Sequence, residues 1–418
     1  KNINCFYINM CGITILLSKN ENSIIQNLLC SLYNIQNRGY DSAGVAYILD
    51  NKWQIDKHAS TNISDSLELL KKKVSSIESV IGIGHTRWAT HGAKTDKNSH
   101  PHISMNEKII VVHNGIITNY LYLKKLLIDK NYTFYSETDT EIISNLIEYF
   151  LEESGSINIA IKKSIDIMEG TWALGIIDTS DLETVYVTRH GSPLIIGESE
   201  DNLVCCSEIS GFIGLVNNYI VLENNDIITL SSNGYKTDKI YVSNKINESI
   251  IETTPYPYEY WTLKEIYEQP LSLNRAINNG GRINNNKILL GGLQPLNNDK
   301  NTIDNIIGLG CGTSYHATML LKYYFNRASR LNSVQSYDAS EFSELDIPKK
   351  GKTLFIICSQ SGETRDLINA INICKKYNCI TFGVINVVDS MISQMVDCGV
   401  YLNCGIEKAV ASTKSFTS

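Results

Sequence analysis

The last third of the chain alternates short apolar runs with loops rich in glycine and serine, and each loop leads into a helical pattern. Residues 306–309 run into Gly310-Cys311-Gly312-Thr313-Ser314, and residues 354–357 run into Ser359-Gln360-Ser361-Gly362-Glu363-Thr364. Residues 381–387 repeat the apolar step. Alternation of this kind is typical of β–α units, whose strands form a parallel sheet with ligand-binding loops at its carboxyl edge. We therefore predict an α/β domain here.

The part of the chain before residue 243 has a different pattern. Residues 11–17 form an apolar run that predicts a buried strand, and residues 45–55 predict a hairpin with Asp50-Asn51 in its turn. Residues 172–230 consist of short apolar runs separated by Gly, Ser and Asn, which predicts mostly strands. A single core tends to split beyond roughly 250–300 residues, so a chain of 418 residues favours two domains. We predict that the first is an α+β domain with antiparallel strands.

Several helices are also predicted. Apolar residues recur at helical spacing over residues 24–32, with Ser23 as the expected N-cap. Thr138-Asp139-Thr140-Glu141 fits a capping box, in which the first and fourth residues exchange hydrogen bonds, and an apolar helix face follows it. A further helix is predicted over residues 260–278, after a polar connector.

The composition excludes some classes of protein. Hydrophobic residues make up 43% of the chain and charged residues 19%, which favours a soluble fold with a large core. The formal net charge of −7 argues against a protein that binds nucleic acid or an anionic membrane surface. No apolar run approaches the ~18 residues of a membrane span. The 11 cysteines contain no C-x-x-C pair, which favours reduced thiols in a cytoplasmic protein.

Cys11 is the first residue with a pattern that suggests chemistry. It follows Met10 directly, so removal of that methionine would make Cys11 the N-terminal residue. A free α-amino group has a pKa near 7.7–8.0, and its neutral form could take the proton from the thiol of the same residue. The alternative is that Cys11 is a buried structural thiol, and Met-Cys-Gly alone favours that alternative.

Three other segments shift the balance toward a catalytic site. Arg87, in the loop of residues 84–92, could hold a carboxylate through two hydrogen bonds. Asn114 and Gly115 follow an apolar run, where an amide and a backbone N–H could form an oxyanion hole. Asp139 could receive a substrate ammonium, or it could only interact with the helix dipole.

Five histidines, at positions 85, 91, 100, 102 and 113, raise the question of a metal site. No carboxylate or thiolate falls at ligand spacing beside them, and H-x-x-x-H is absent. We therefore favour hydrogen bonding in loops over metal binding.

The loop of residues 359–364 joins a predicted strand to a predicted helix and is rich in hydroxyl groups. Its hydroxyls and the N–H groups at the helix start could bind an anion without any lysine. The alternative is ordinary capping, in which Ser361 only satisfies an orphan N–H, and in isolation this alternative is favoured. The similar loop of residues 311–314 shifts the balance toward a shared anion site.

In order along the chain, the first motifs resemble the N-terminal-nucleophile glutamine amidotransferases. The matching segments are Cys11-Gly12-Ile13, residues 38–44, the Arg87 loop, His113-Asn114-Gly115 and residues 136–140. The resemblance implies a four-layer sandwich of two antiparallel sheets between helices. It implies that Cys11 attacks the side-chain amide of glutamine while Asn114 and Gly115 stabilise the oxyanion. It also implies that Arg87, Thr90, His91 and Asp139 bind glutamine, that Trp88 gates the passage of ammonia, and that Arg38 lies close to the nucleophile.

The later motifs resemble the first sugar-isomerase (SIS) module found in one branch of this family. The matching segments are residues 264–270, 311–315, 359–364 and 410–414. The resemblance implies a three-layer α/β module in which Ser314, Ser359, Gln360, Ser361 and Thr364 hold a phosphate, and Thr313, Val410 and Ser412 contact the sugar. It implies transfer of the amide nitrogen of L-glutamine to fructose 6-phosphate, giving glucosamine 6-phosphate and glutamate. It implies no metal or organic cofactor, and it is compatible with a homo-oligomer.

Domain boundaries follow from these resemblances. Residues 1–10 are expected to be absent from the mature chain, because the amide nitrogen of an internal Cys11 could not act as a base. Either Met10 is the real start, or residues 1–10 are a leader that must be removed. We expect the amidotransferase domain over residues 11–243, a connector with a helix over 244–284, and the SIS module over 285–418. The chain ends before the second SIS module of the family, and the sequence leaves open whether it is truncated.

Two other functions stay open at this point. One is an amidotransferase with a different acceptor, which the two hydroxyl-rich loops argue against. The other is a non-catalytic sugar-phosphate-binding protein that keeps the fold without turnover.

Overall fold

The structure is a computed structural model that describes residues 11–36, 39–61, 63–88, 92–246, 254–284, 287–296, 302–388 and 390–418. The chain divides into two compact units between residues 253 and 254. No helix within the described ranges is both long and apolar enough to cross a lipid bilayer.

The described residues of the first unit form two antiparallel sheets and five α-helices. Its strands are β1 (Gly12–Ser18), β2 (Ser42–Leu49), β3 (Lys52–Ala59), β4 (Ile81–Arg87), β5 (His102–Ile103), β6 (Ile109–Ile117), β7 (Gly170–Asp178), β8 (Val185–His190), β9 (Ile195–Glu198), β10 (Asn202–Cys206), β11 (Asn218–Val221), β12 (Ile227–Ser231), β13 (Gly234–Lys236) and β14 (Asn244–Lys245). Its helices are α1 (Ile25–Asn34), α2 (Ser66–Val74), α3 (Tyr120–Ile128), α4 (Asp139–Ser154) and α5 (Ile157–Ile167). The strand orders are β14-β11-β9-β10-β1-β4-β2-β3 and β13-β12-β8-β7-β6-β5.

Three apolar cores fix the order of the layers. Alternate residues of the two sheets, such as Ile15 of β1 and Val112 of β6, pack against each other between the sheets. The opposite face of the first sheet packs on α1 and α2, and the opposite face of the second packs on α3, α4 and α5. The predicted four-layer sandwich is confirmed.

The predicted hairpin is formed by β2 and β3, which pair in register from Ser42 to Leu49. Asp50 and Asn51 both have positive φ angles, 53° and 57°. A two-residue turn with positive φ at both positions matches the right-handed twist of the strands that it joins, and Asn and Asp tolerate that conformation.

The predicted helix caps are only partly correct. The N-cap of α1 is Ile24, without a side-chain capping bond, whereas Ser23 was expected there. The Ser23 hydroxyl is used elsewhere, because it accepts from the backbone N–H of Ser79 at 3.3 Å. At α4, Thr138 Oγ1 accepts from the Glu141 N–H at 3.4 Å, but the Glu141 carboxylate accepts from the backbone N–H groups of residues 135 and 136 and not from Thr138. Only half of the capping box is therefore present.

The second unit is built on a parallel sheet. Its strands are β15 (Ile283–Asn284), β16 (Lys287–Ile288), β17 (Ile303–Gly310), β18 (Ser333–Asp338), β19 (Lys352–Ser359), β20 (Ile380–Ile385) and β21 (Cys398–Tyr401). Its helices are α6 (Trp261–Ala276), α7 (Thr313–Ala328), α8 (Arg365–Lys376), α9 (Met391–Met395) and α10 (Lys414–Thr417). The sheet order is β18-β17-β19-β20-β21, with every pair parallel, and β15 and β16 form a separate hairpin.

Helices cover both faces of this sheet. Ile307 and Phe355 belong to a core shared with α8 and α9, whereas Ile306 and Leu354 pack on the opposite side against α7. A parallel sheet needs cover on both faces, which is why its strands are continuous apolar runs in the sequence. The predicted three-layer α/β arrangement is confirmed.

Candidate functional site

Cys11 lies at the start of β1, beside the end of β4. Its sulfur accepts a hydrogen bond from the backbone N–H of Trp88, with Sγ and N 3.4 Å apart. The side chain is half-buried. The thiol can also donate to the backbone oxygen of Trp88, with Sγ and O 3.6 Å apart, so the backbone of one residue fixes the position of the sulfur. The structure therefore places this cysteine where it could act as a nucleophile.

The strand β6 carries the predicted oxyanion residues to the same place. Asn114 Nδ2 donates to the backbone oxygen of Cys11 at 2.8 Å. A primary amide nitrogen has two hydrogens, so this bond leaves the second for an oxyanion. Gly115 has a φ of +133°, and a Cβ there would lie 2.1 Å from the backbone oxygen of Thr171. Only glycine fits at this position without displacing β7.

A cavity lies against the cysteine. Its lining consists of Cys11, Arg87, Trp88, His100, His113, Gly115, Thr138, Asp139 and Thr140. Arg87 is 3% exposed and Asp139 is 5% exposed, so one buried cation and one buried carboxylate face a common space. Asp139 Oδ2 also accepts from the backbone N–H of Ile117 at 2.9 Å. A cation and an anion that face one cavity are complementary in charge to the carboxylate and ammonium of an amino acid.

The structure brings most of the predicted glutaminase residues together. Cys11, Arg87, Trp88, Gly115 and Asp139 line one cavity, and Asn114 contacts the backbone of Cys11. Thr90, His91 and Arg38 lie outside the described residues. The role of Trp88 as an ammonia gate stays a prediction.

Sequence reasoning assigned no role to four residues of the lining, which are His100, His113, Thr138 and Thr140. A signal for two of them was present, because Thr138 and Thr140 flank Asp139 at a helix start, where consecutive side chains share one end of the helix. His100 comes from a loop whose path no local pattern predicts.

The hydroxyl-rich loops of the second unit follow two neighbouring strands. β17 ends at Gly310 and β19 ends at Ser359, and the two strands pair in parallel, so both loops leave the same edge of the sheet. Thr313 and Ser314 form the first turn of α7, and Thr364 is the N-cap residue of α8. Both α7 and α8 therefore start at this edge, and the backbone N–H groups of a helix start can bind an anion.

The serines of the second loop hold its backbone in shape. Ser359 Oγ accepts from the Gly362 N–H at 2.9 Å, and Ser361 Oγ accepts from the Glu363 N–H at 3.2 Å. Glu363 precedes α8, so Ser361 closes a turn and does not cap the helix. Both serines are buried, Gln360 is half-buried, and Gly362 takes a φ of +68°.

Two buried glutamates fix the loop that contains Val410 and Ser412. Glu265 Oε1 accepts from the backbone N–H groups of Lys408 and Ala409 at 2.6 and 2.9 Å. On the other side of the loop, Glu407 Oε1 accepts from the backbone N–H groups of residues 413 and 414 at 2.7 and 2.8 Å. Val410 is exposed and Ser412 is half-buried between these two anchors.

The chain matches known proteins along most of its length. A family model for a glutamine amidotransferase domain matches residues 85–214, and one for a SIS domain matches residues 302–418. A probable glutamine–fructose-6-phosphate aminotransferase (isomerizing) of Acanthamoeba polyphaga mimivirus is 38% identical over 98% of this chain and 68% of its own length. The chain belongs to the glutamine–fructose-6-phosphate aminotransferase family.

A bacterial member of the family has a similar sequence identity and coverage. The enzyme named glutamine–fructose-6-phosphate aminotransferase (isomerizing) from Clostridium acetobutylicum is 37% identical over 98% of this chain and 67% of its own length. Among solved structures, the glutamine phosphoribosylpyrophosphate amidotransferase of B. subtilis is 17% identical, with a TM-score of 0.48, and the match covers 94% of this chain and 90% of that chain.

A cluster of three buried histidines includes His100, which lines the cysteine cavity of this aminotransferase family member. The rings of His85 and His100 stack with centroids 4.0 Å apart, and His102 meets His100 edge-on at 4.9 Å. Burial lowers the pKa of His85 to about 3, and it also lowers the pKa of His100 and of His102 well below the ordinary value. The three rings are therefore neutral at physiological pH. Among the described residues, no three His, Cys, Asp or Glu side chains are arranged to hold a metal ion.

Acid should destabilise the first unit through these rings. Below about pH 6.5 the unfolded chain binds protons that the folded chain excludes, so the free energy of unfolding falls as the pH falls. The positive charges of Arg87 and Lys57 lower the pKa values of His100 and His102 further, and so does a proton on a neighbouring histidine. Each histidine should contribute a slope of up to about 1.4 kcal/mol per pH unit.

Urea unfolding at pH 7.5 and at pH 5 tests this prediction. His100→Asn should reduce the pH dependence of the free energy of unfolding by about one proton. An equal pH dependence in His100→Asn and the parent would show that the ring titrates normally.

Proposed function

We propose that this chain is a glutamine-dependent amidotransferase that makes glucosamine 6-phosphate and glutamate from glutamine and fructose 6-phosphate. The observation that carries the proposal is the cavity in which the Cys11 sulfur, the buried Arg87 and the buried Asp139 meet. A nucleophile beside one cation and one anion suits an amino acid whose side-chain carbonyl carbon is attacked.

In the first half-reaction, Arg87 binds the carboxylate of glutamine and Asp139 binds its ammonium. The neutral α-amine of Cys11 takes the thiol proton, and the sulfur attacks the side-chain amide carbon. The oxyanion is stabilised by Asn114 Nδ2 and the Gly115 N–H. The C–N bond then breaks, the leaving nitrogen takes the proton and departs as ammonia, and water hydrolyses the thioester to glutamate.

In the second half-reaction, ammonia is delivered to the sugar phosphate. Ser314, Ser359, Gln360, Ser361 and Thr364 hold the phosphate, with the N-termini of α7 and α8 behind them. Thr313, Val410 and Ser412 contact the sugar. The parallel alignment of β17 and β19 and the two anchored loops support this assignment.

We also propose the domain limits, the cellular location and the partners that the resemblance implies. Residues 11–243 form the glutaminase domain and residues 285–418 the SIS module, with residues 244–284 as connector. The chain spans 68% and 67% of the two curated relatives described above. The proposed location is the cytoplasm, and the proposed partners are the two substrates and further copies of the chain.

Two assays on a chain that starts at Met10 test the proposal. The first measures glutamate release from glutamine, with and without fructose 6-phosphate. The second measures amino-sugar formation by mass spectrometry, with other phosphorylated ketoses as competing acceptors. Glutamate release with transfer to fructose 6-phosphate supports the proposal, and transfer only to another acceptor would contradict it. A chain that binds fructose 6-phosphate but releases no glutamate would be a binding protein instead.

The anchored loop gives a prediction for sugar-phosphate binding. Glu265→Leu removes the acceptor for two backbone N–H groups, so the affinity for fructose 6-phosphate should fall at least about tenfold, since each lost bond to a charged group is worth about 1.5–3 kcal/mol. Glu265→Gln keeps an acceptor oxygen, so its affinity for fructose 6-phosphate should fall less than that of Glu265→Leu. Isothermal titration calorimetry measures both affinities, and glutamate release serves as the control that should not change. Equal affinity in Glu265→Leu and the parent would contradict the prediction.

A further inference from the structure

One edge of β6 loses its neighbouring strand just before the oxyanion residues. β5 is two residues long and pairs only with Ile110 and Val111. Two positions later, at His113, the backbone N–H and C=O are bonded by side chains. Asn114 and Gly115 follow His113 directly, so no strand among the described residues pairs on this edge with the stretch of β6 that matters for the oxyanion.

Two stacked histidine rings take the place of that strand. The backbone N–H of His113 donates to His100 Nδ1 at 3.3 Å, and the backbone oxygen of His113 accepts from His85 Nε2 at 3.1 Å. His85 belongs to β4, which pairs with β1 in the sheet that carries Cys11. The bond from His85 therefore connects the strand that carries the oxyanion residues to the sheet that carries the nucleophile, and the bond to His100 connects it to the loop before β5.

The hydrogen-bond partners fix the position of each ring proton. A backbone N–H only donates, so His100 Nδ1 has no hydrogen, and its proton is on Nε2, which donates to Thr140 Oγ1 at 3.3 Å. The Thr140 hydroxyl can then donate to His113 Nδ1 at 3.1 Å, and His113 Nε2 donates to the backbone oxygen of Thr171 at 3.3 Å. Each imidazole ring in this series of hydrogen bonds therefore carries one hydrogen. A second proton on His100 would remove the acceptor of the His113 N–H.

We propose that His85 and His100 are positioning residues for the oxyanion hole, which they fix by holding both backbone groups of His113. The proposal rests on the proposed glutaminase function and adds two residues to that site. Because the pair acts on the placement of Asn114 and Gly115, it should affect the rate of the chemical step more than the binding of glutamine. Loss of a whole oxyanion donor costs about 100- to 1000-fold in kcat, and a displaced donor should cost part of that.

The test compares His100→Leu, which has no acceptor, with His100→Asn, whose Oδ1 can accept the His113 N–H. We expect kcat for glutamine hydrolysis to fall about 10- to 100-fold in His100→Leu, with KM changed less than about threefold. In His100→Asn, kcat should stay close to that of the parent. The rate of Cys11 alkylation by iodoacetamide should be the same in both variants, and His58→Leu in β3 should match the parent in every assay.

A second measurement does not depend on glutaminase activity. Hydrogen exchange of the peptide covering residues 109–117 should be faster in His100→Leu than in His100→Asn or the parent. If the parent itself hydrolyses no glutamine, the proposed function fails, and the exchange experiment still decides the positioning role. Unchanged kcat and unchanged exchange in His100→Leu would overturn the inference, and so would equal losses in His100→Leu and His100→Asn.

Discussion

Replacement of Cys11 by alanine should lower glutamate release from glutamine at least about 1000-fold, because the thioester is proposed to form on the Cys11 sulfur and no other cysteine is among the described residues of the cavity lining. The structure supports this sulfur as the nucleophile through its bond from the Trp88 N–H and its place in the cavity. Coupled assay of glutamate in the parent and in Cys11→Ala measures the effect. Binding of fructose 6-phosphate should be unchanged, since its proposed site lies in the other unit.

Cys30→Ala is the matched control for that experiment. Cys30 is an exposed cysteine in α1, and its removal should change glutamate release less than twofold. A Cys11→Ala variant that kept a tenth or more of the parent's activity would contradict the proposed chemistry. Equal losses in the two variants would point to a general effect of cysteine replacement.

Asp139→Asn should raise the KM for glutamine at least about 30-fold while kcat changes only a few-fold. Asparagine is nearly the same shape, and its Oδ1 can still accept from the Ile117 N–H, so the strand-to-helix contact is kept. The negative charge that faces the substrate ammonium is lost, and removal of one partner of a buried charge pair typically costs 2–5 kcal/mol. Steady-state kinetics over a wide range of glutamine concentration measures the two constants.

Asp129→Asn is the control for charge alone, because Asp129 is exposed at the C-terminal end of α3. It should leave both constants unchanged. A KM in Asp139→Asn equal to that of the parent would show that Asp139 only stabilises the start of α4, which is the other interpretation of its position. A drop in kcat without a change in KM would contradict the binding role as well.

The parallel sheet of the second unit could be predicted from the sequence because its pattern is local. The strands β17 and β19 are continuous apolar runs followed by hydroxyl-rich loops, and a parallel sheet covered on both faces produces that pattern. The turn at Asp50-Asn51 was also predictable, since few residues tolerate two positive φ angles in succession. Cys11 and Gly115 came from motifs with a known order along the chain.

The histidine pair could not be predicted in the same way. His85, His100 and His113 come from β4, a loop and β6, and their contacts depend on how the two sheets pack. The half-formed capping box has a similar cause, since the Glu141 carboxylate binds backbone N–H groups of the preceding loop. Glu265 bonds to residues more than a hundred positions away, and no pattern in a single sequence reports such a contact.

The central claim is that the sulfur of Cys11, beside its own free α-amine, is the nucleophile that attacks glutamine. Its most direct test is mass spectrometry of the protein after treatment with an electrophilic glutamine analogue. We predict one adduct per chain, on the sulfur of a peptide whose first residue is Cys11, and we predict that excess glutamine prevents it. An adduct on another residue, no adduct in folded protein, or an adduct on Cys11 with residues 1–10 still attached in a fully active enzyme would contradict the claim.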